Sequence, residues 1–322
     1  MERTVTQAAE PKFNLSSFLA KYGTLIGLIL IIILFTILKP AFLKPQSVID
    51  LLRQASINGF LAIGMTFVIL TGGIDLSVGS IVGAAGIYAA LVAQNHDYPA
   101  FIPVLVGVLI GFSMGLFNGV TIAFLKVPAF IGTLGMLSIA RGITFMATDA
   151  KPVPQLSPQF LEIGKGSILG IPIPVIILVI SLLVCIVLLY ASKFGRYVFA
   201  VGGSEQAALV SGIKVRTVKA STYAISGLLS GLAGVILTAR VSSGLAQSGT
   251  GYETDAIAAV VIGGTSLAGG RGRLWGTVVG FLLIAVLNKG LDMLAVSSYL
   301  QLIIKGFIII AAVMVDGLTQ KD

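Results

Sequence analysis

The chain of 322 residues holds one histidine, His96, and one cysteine, Cys185, the latter inside an apolar run. That pair supplies no zinc cluster, no intramolecular disulfide and no nucleophile–base array, so metal sites, cofactor sites and catalytic residues are all expected to be absent. Only Asp or Lys chemistry stays open. Neither G-x-x-x-x-G-K-[ST] nor G-x-G-x-x-G occurs, so the usual phosphate loops for ATP or a dinucleotide are missing. What remains is a set of charges inside apolar runs: Arg141, Lys289, Asp292 and Lys305. A charge placed there is costly and faces a bundle interior or a cavity. Lys289 and Asp292 are three apart on one helix face and can pair. Lys305 can neutralise Asp292 or reach lipid headgroups.

The elements that carry these residues follow from composition. Hydrophobic residues make up 56% of the chain and charged residues 11%, and mean hydropathy is +1.02. A soluble globule cannot hide that much apolar surface. The fold class expected is an all-α polytopic membrane protein of about ten transmembrane helices, each needing about 20 residues. The spans are read at about 22–38, 50–71, 76–94, 101–125, 128–147, 172–191, 220–240, 256–270, 274–291 and 298–315. The run 256–270 is short for a crossing and is expected to be tilted, broken or re-entrant, buried by protein. With the N-terminus inside, cytoplasmic segments hold twelve Lys and Arg, against four in the outer loops (Lys39, Lys44, Lys151 and Lys165). That asymmetry favours N-in and C-in and accounts for the net charge of +8 without nucleic acid. The domain reading is a tail over 1–20, one membrane domain over 21–316 with outer loops at 148–170 and 242–255, and a tail over 317–322. The polar first 20 residues argue against a cleaved signal peptide.

Glycines recur every fourth residue at Gly107, Gly111, Gly115 and Gly119, and again at Gly227 and Gly231 and at Gly276 and Gly280. Such stripes let helix backbones approach closely, within one chain or between subunits. The runs Gly72–Gly79 and Gly263–Gly270 share the pattern G-G-x-x-L-x-x-G, either a repeat that breaks helices near a path or chance in a chain with 39 glycines. Asp75 reads as an N-cap of the third span or as a cytoplasmic gate.

The stretch 193–219 between two spans carries a helix too short to cross. Ser204 is its N-cap, Glu205 suits the first-turn dipole, Ala207 and Ala208 favour helix, and Ser211, Gly212 and Ile213 suit its end. It is either a connector or a handle for a cytoplasmic motor.

Three runs carry a resemblance: Gly64 to Ser80, Gly195 to Ile213 and Tyr252 to Gly270. In them the chain resembles the permease subunits of ATP-binding-cassette sugar importers, the ribose-type group within a family that also holds branched-chain amino-acid permeases. The likeness spans about 20–316. It implies a pore of two permease chains, identical or homologous, in a bacterial inner membrane. It also implies a cytoplasmic ATPase, commonly two fused cassettes holding ATP and Mg, and a periplasmic sugar-binding protein. The helix over 204–212 (Ser204, Glu205, Ala207, Ala208, Ser211, Gly212) matches the family's coupling element. Ribose or a related monosaccharide, another pentose or a hexose, is the expected sugar.

Neutral hydrogen-bonding groups suit a sugar path, which makes Asn58, Thr66, Asn118, Asn288 and Gln301 candidates beside Asp75, with interhelical bonding as the plainer role. Glu162, Glu253 and Asp255 are candidates for pairing with the binding protein at the outer loops. A secondary transporter driven by an ion gradient and a non-transport membrane scaffold are the competing readings.

Overall fold

The computed structural model describes residues 15–319, with side chains described over 23–314 apart from residue 312. Arg3, Lys12, Lys321 and most of the two predicted tails lie outside the described residues, as does the side chain of Lys21. The described chain is helical almost throughout: α1 (Leu15–Leu38), α2 (Pro45–Leu70), α3 (Val78–Ala93), α4 (Phe101–Ala123), α5 (Ala129–Thr148), α6 (Pro158–Lys165), α7 (Ile173–Ile186), α8 (Lys193–Gly203), α9 (Glu205–Val210), α10 (Val215–Val241), α11 (Tyr252–Ile262), α12 (Leu274–Met293) and α13 (Ser298–Thr319). Pro45, Pro158 and Pro174 sit in the first turns of α2, α6 and α7, where a missing N–H costs nothing. A two-residue hairpin, Ser167–Ile168 against Ile171–Pro172, and the helix α6 fold up the predicted loop over 148–170.

Six helices are long and apolar enough to cross a membrane: α2, α4, α5, α7 with its π-helical extension to Ala191, α10 and α12. Three more apolar stretches are shorter, Gly23–Leu38, Val78–Ala93 and Ser298–Ala311. The chain is thus an all-α polytopic membrane protein. Burial sorts the helices: α2, α10 and α12 form the centre, whereas α4, α5 and α7 turn most of their apolar surface outward. Leu105, Phe117, Phe130, Ile180 and Leu183 are exposed on those outer helices, as lipid-facing residues would be.

The glycine stripes join helices of the same chain. Gly111 and Gly115 of α4 press against Gly227 of α10, where a Cβ on Gly227 would overlap the Gly111 carbonyl oxygen and the Gly115 Cα. Gly276 and Gly280 of α12 meet Gly263 and Ala259 in the same way. The close approach gives dispersion contacts along the whole face, the main attraction available between helices in lipid.

Two helices are too short. At 1.5 Å per residue α3 is about 24 Å long and α11 about 16 Å, against about 30 Å of hydrocarbon. The run 256–270 is helical only to Ile262, so its break falls where the sequence leads one to expect it. The length lost before α11 is made up by residues 242–251. The sequence reads these as an outer loop, but they run into the bundle instead. Gly244 pairs with Val153 and packs on Ala90, near the end of α3, while Gly249 lies against Gly79, near its start. The segment therefore descends the length of α3.

Gly227→Val is expected to lower thermal stability in detergent strongly, by at least the ~1–3 kcal/mol typical of an overpacked site. Gly135→Ala on α5, with nothing within 4 Å of the new Cβ, is expected to leave the melting temperature unchanged or raise it. Equal melting for both variants would mean that the α4–α10 contact is not tight.

Candidate functional site: two broken helices and a capped surface helix

Both short helices begin inside the bundle. The turn after α2 is closed by glycine: Gly72, at φ +75°, donates to Ile69 O and Gly73 to Val68 O. After α11, Gly264 at φ +83° donates to Val261 O and Thr265 to Val260 O. These are the same cap, in which only glycine escapes the left-handed strain. The G-G-x-x-L-x-x-G echo is therefore structural, although its register is off by one, since Gly72 corresponds to Gly264 and not to Gly263.

From Gly73 the chain climbs to Ser77, the N-cap of α3. Asp75 is fully buried. It accepts from the Ser77 N–H (3.0 Å), the Ser77 hydroxyl (2.6 Å) and the hydroxyl of Ser226 (3.0 Å), midway along α10. Asn118 of α4 donates to the Ser77 hydroxyl (2.8 Å). Asp75 is thus not the N-cap itself. It holds the N-cap residue and ties α3 to α10 at mid-height.

The start of α11 lies close by. The carboxylate of Glu253 packs against Gly79 in the first turn of α3 and accepts from the Gly251 N–H (3.2 Å). Arg141 of α5 donates to the carbonyls of Ala246 and Ser248 (3.1 Å) in the unwound segment, with the Glu253 carboxylate as the opposite charge nearby. Asp255 is 4% exposed and accepts from Lys305 of α13 (3.0 Å) and Asn288 of α12 (3.2 Å). The placement of Asp255 as an outer-loop contact is corrected: it is an interior residue of α11. Glu253, half-buried and turned towards Gly79, is corrected likewise. Glu162 is exposed on α6. Lys305 pairs with Asp255 and not with Asp292, whose carboxylate takes Gln301 (2.9 Å) instead of Lys289.

The remaining path candidates are internal. Thr66 bonds Thr277 (2.8 Å), and Asn58, Thr66, Asn118 and Asn288 are all buried, each 6% exposed or less. Gln301 is half-buried near one end of the bundle and donates to the Val296 carbonyl (3.0 Å).

The surface helix is formed as its residues lead one to expect. The Ser204 hydroxyl accepts from the Ala207 N–H (3.2 Å), and Gly212 at φ +80° closes the helix with Ile213 donating to Ala208 O (3.0 Å). Ala208 is buried and anchors the helix, so it does not present itself outward. The outward residues are Leu209 and Val210, 65% and 89% exposed, which sequence reasoning passed over. The signal was available: two bulky apolar residues on the polar side of a short capped helix. Sequence reasoning also missed α8, which ends on the bundle. There Gly202 lies against the Leu70 carbonyl, which also accepts from the Gly270 N–H (2.9 Å). Three glycine-rich pieces, from α8, the end of α2 and the loop after α11, thus meet at one point.

Residues 47–313 match the family model described as the branched-chain amino acid transport system permease component. The chain belongs to that family. Over 98% of each chain it is 45% identical to the ribose import permease protein RbsC of Bacillus subtilis (strain 168). It is 42% identical to RbsC of Escherichia coli (strain K12), over 96% of this chain and 97% of the relative. Identity to the D-allose transport system permease protein AlsC of the same strain is 39%, over 99% and 98%. No solved structure matches the chain. The matched region of this permease component contains both broken helices and the surface helix.

Asp75→Ala removes the acceptor for three buried donors, at roughly 1–3 kcal/mol for each one left unpaired. Its melting temperature in detergent is expected to fall well below that of Asp75→Asn, which keeps one acceptor oxygen. Identical melting of the two would argue that the network does not hold α3.

Proposed function

We propose that this chain is the membrane-spanning permease subunit of an ATP-driven importer of a monosaccharide, with ribose or a close relative as the sugar. The single observation that carries the reading is the family match over most of the chain, with relatives named for ribose and allose import. The chain is not itself catalytic, and ATP hydrolysis belongs to a separate ATPase subunit. A binding protein delivers the sugar from the other side of the membrane.

The finer picture is as follows. Ten crossings, α1 to α5, α7 and α10 to α13, put both termini, α8 and α9 on the cytoplasmic side of a bacterial inner membrane, in line with the Lys and Arg asymmetry. Two such chains, identical or homologous, enclose the path, and a fused pair of cassettes docks on α9. The apolar Leu209 and Val210 suit a groove on the ATPase. Glu205 is ion-paired to Lys219 of α10, so motion of α9 is passed to α10. The gradient-driven alternative loses its support, because the buried charges Asp255 and Lys305 neutralise each other and the family works with an ATPase.

In vesicles holding the permease, its ATPase and its binding protein, D-ribose uptake is expected to need ATP; uptake that persists without ATP would exclude the reading. Glu205→Lys is expected to lower uptake and ATP hydrolysis together, with the exchange Glu205→Lys/Lys219→Glu restoring both. Gly212→Val should act alike through strain alone, about 1–2 kcal/mol, since its Cβ meets nothing within 4 Å. Normal coupling in Glu205→Lys and Gly212→Val would move the ATPase contact elsewhere.

A further inference from the structure

Between the start of α11 and α13 lies a cavity of about 230 Å³. Its walls include Thr250, Tyr252, Thr254, Asp255, Leu302 and Lys305. The polar groups that line it face open space. The Thr250 hydroxyl donates to Gln247 O (2.8 Å) and the Thr254 hydroxyl to Gly251 O (2.7 Å). Each has spent its proton on backbone, so each presents lone pairs only. Both threonines are exposed, Thr250 near the end of the unwound segment and Thr254 in the first turn of α11. Lys305 uses one N–H on Asp255 Oδ2 and keeps two. Asn288 takes the same carboxylate oxygen. Among the described residues nothing bonds Asp255 Oδ1, though the residue is 4% exposed.

We propose that this cavity is a monosaccharide subsite of the permease. The assignment rests on the import reading above and adds where in the chain the sugar is recognised. A sugar hydroxyl is donor and acceptor at once. It can give a proton to Thr250 Oγ1, Thr254 Oγ1 or Asp255 Oδ1 and accept one from Lys305 Nζ. The ring's C–H face meets Tyr252 and Leu302. The carboxylate and ammonium cancel in charge, so the subsite grips a neutral polyol without retaining an ion. An ion pair alone would suffice to pin α13 on α11; it does not call for two outward threonine hydroxyls beside an open carboxylate oxygen. The unwound segment is also where a transporter has backbone free to shape a site at mid-membrane.

The experiment uses the full complex in vesicles, with D-ribose as the probe and both uptake and ATP hydrolysis measured. Thr250→Val/Thr254→Val keeps side-chain shape and removes both hydroxyls. Uptake is expected to fall at least about fivefold, the loss corresponding to one neutral hydrogen bond. Stimulated ATP hydrolysis is expected to fall by much less, so that fewer sugars move per ATP. Thr250→Ser/Thr254→Ser should recover uptake. A double valine variant that keeps its uptake overturns the assignment. So does uptake falling in step with ATP hydrolysis and not recovering in the serine variant, the mark of a structural role. An unmodified complex that hydrolyses ATP without moving sugar would instead sink the import reading itself.

Discussion

A peptide group left unpaired inside an apolar bundle costs several kcal/mol, and the breaks in α3 and α11 are arranged around that fact. A full crossing satisfies its own backbone. A half-helix does not, because its first four N–H groups face nothing. At α3 Asp75 takes the N–H of Ser77, with Asn118 bonded to the Ser77 hydroxyl and Ser226 to the Asp75 carboxylate. At α11 it is met by Glu253, while Arg141 takes the carbonyls of the unwound segment before it. The few charges inside the bundle are mostly explained by this need. Asp75 and Arg141 hold backbone, whereas Asp255 and Lys305 hold two helices together.

Glycine does the complementary work. Along α4 and α10 it permits contact between backbones. At Gly72 and Gly264 it permits the left-handed turn that ends a helix abruptly. At Gly79 and Gly83 it leaves α3 bare enough for the unwound segment to lie on it, since a Cβ at either would overlap that segment's carbonyls. The same residue type thus explains tight packing, abrupt ends and the groove between them, and each use has its own geometric reason.

The positions of the apolar helices, the capped surface helix, the glycine contacts and the break near 256–270 were all legible in the sequence. Each depends on local chemistry: an apolar run, a Ser204 with Gly212 eight residues on, a small residue every fourth position. What was not legible depends on partners far along the chain. Asp255 reads as a loop charge because Tyr252 follows a Ser/Gly-rich stretch, and nothing local says that this stretch folds inward to pair Asp255 with Lys305, fifty residues away. Arg141 reads only as a costly intramembrane charge, and its hydrogen-bond partners, the carbonyls of Ala246 and Ser248, are invisible to any reading of side-chain types. For Asp75 the type of bond was legible and the position was not: its carboxylate does take a free backbone N–H, but that of Ser77, which holds the N-cap position two residues on.

The geometry also links the surface helix to both breaks. One route runs along α8, whose Gly202 lies on the carbonyl of Leu70, the last residue of α2. That oxygen is shared with Gly270, in the loop that follows α11. The other runs from Glu205 through Lys219 into α10, whose Ser226 holds Asp75 at the start of α3. A displacement of α9 therefore bears on the ends of α2 and α11 through packed backbone, where there is no slack, and on the start of α3 through an ion pair and a buried hydrogen bond. The links differ in stiffness: the glycine contacts cannot yield without separating the three pieces, while the polar links can exchange partners. The chain thus holds both kinds of link between α9 and its broken helices, packed backbone that transmits a displacement and a few polar bonds that can be exchanged.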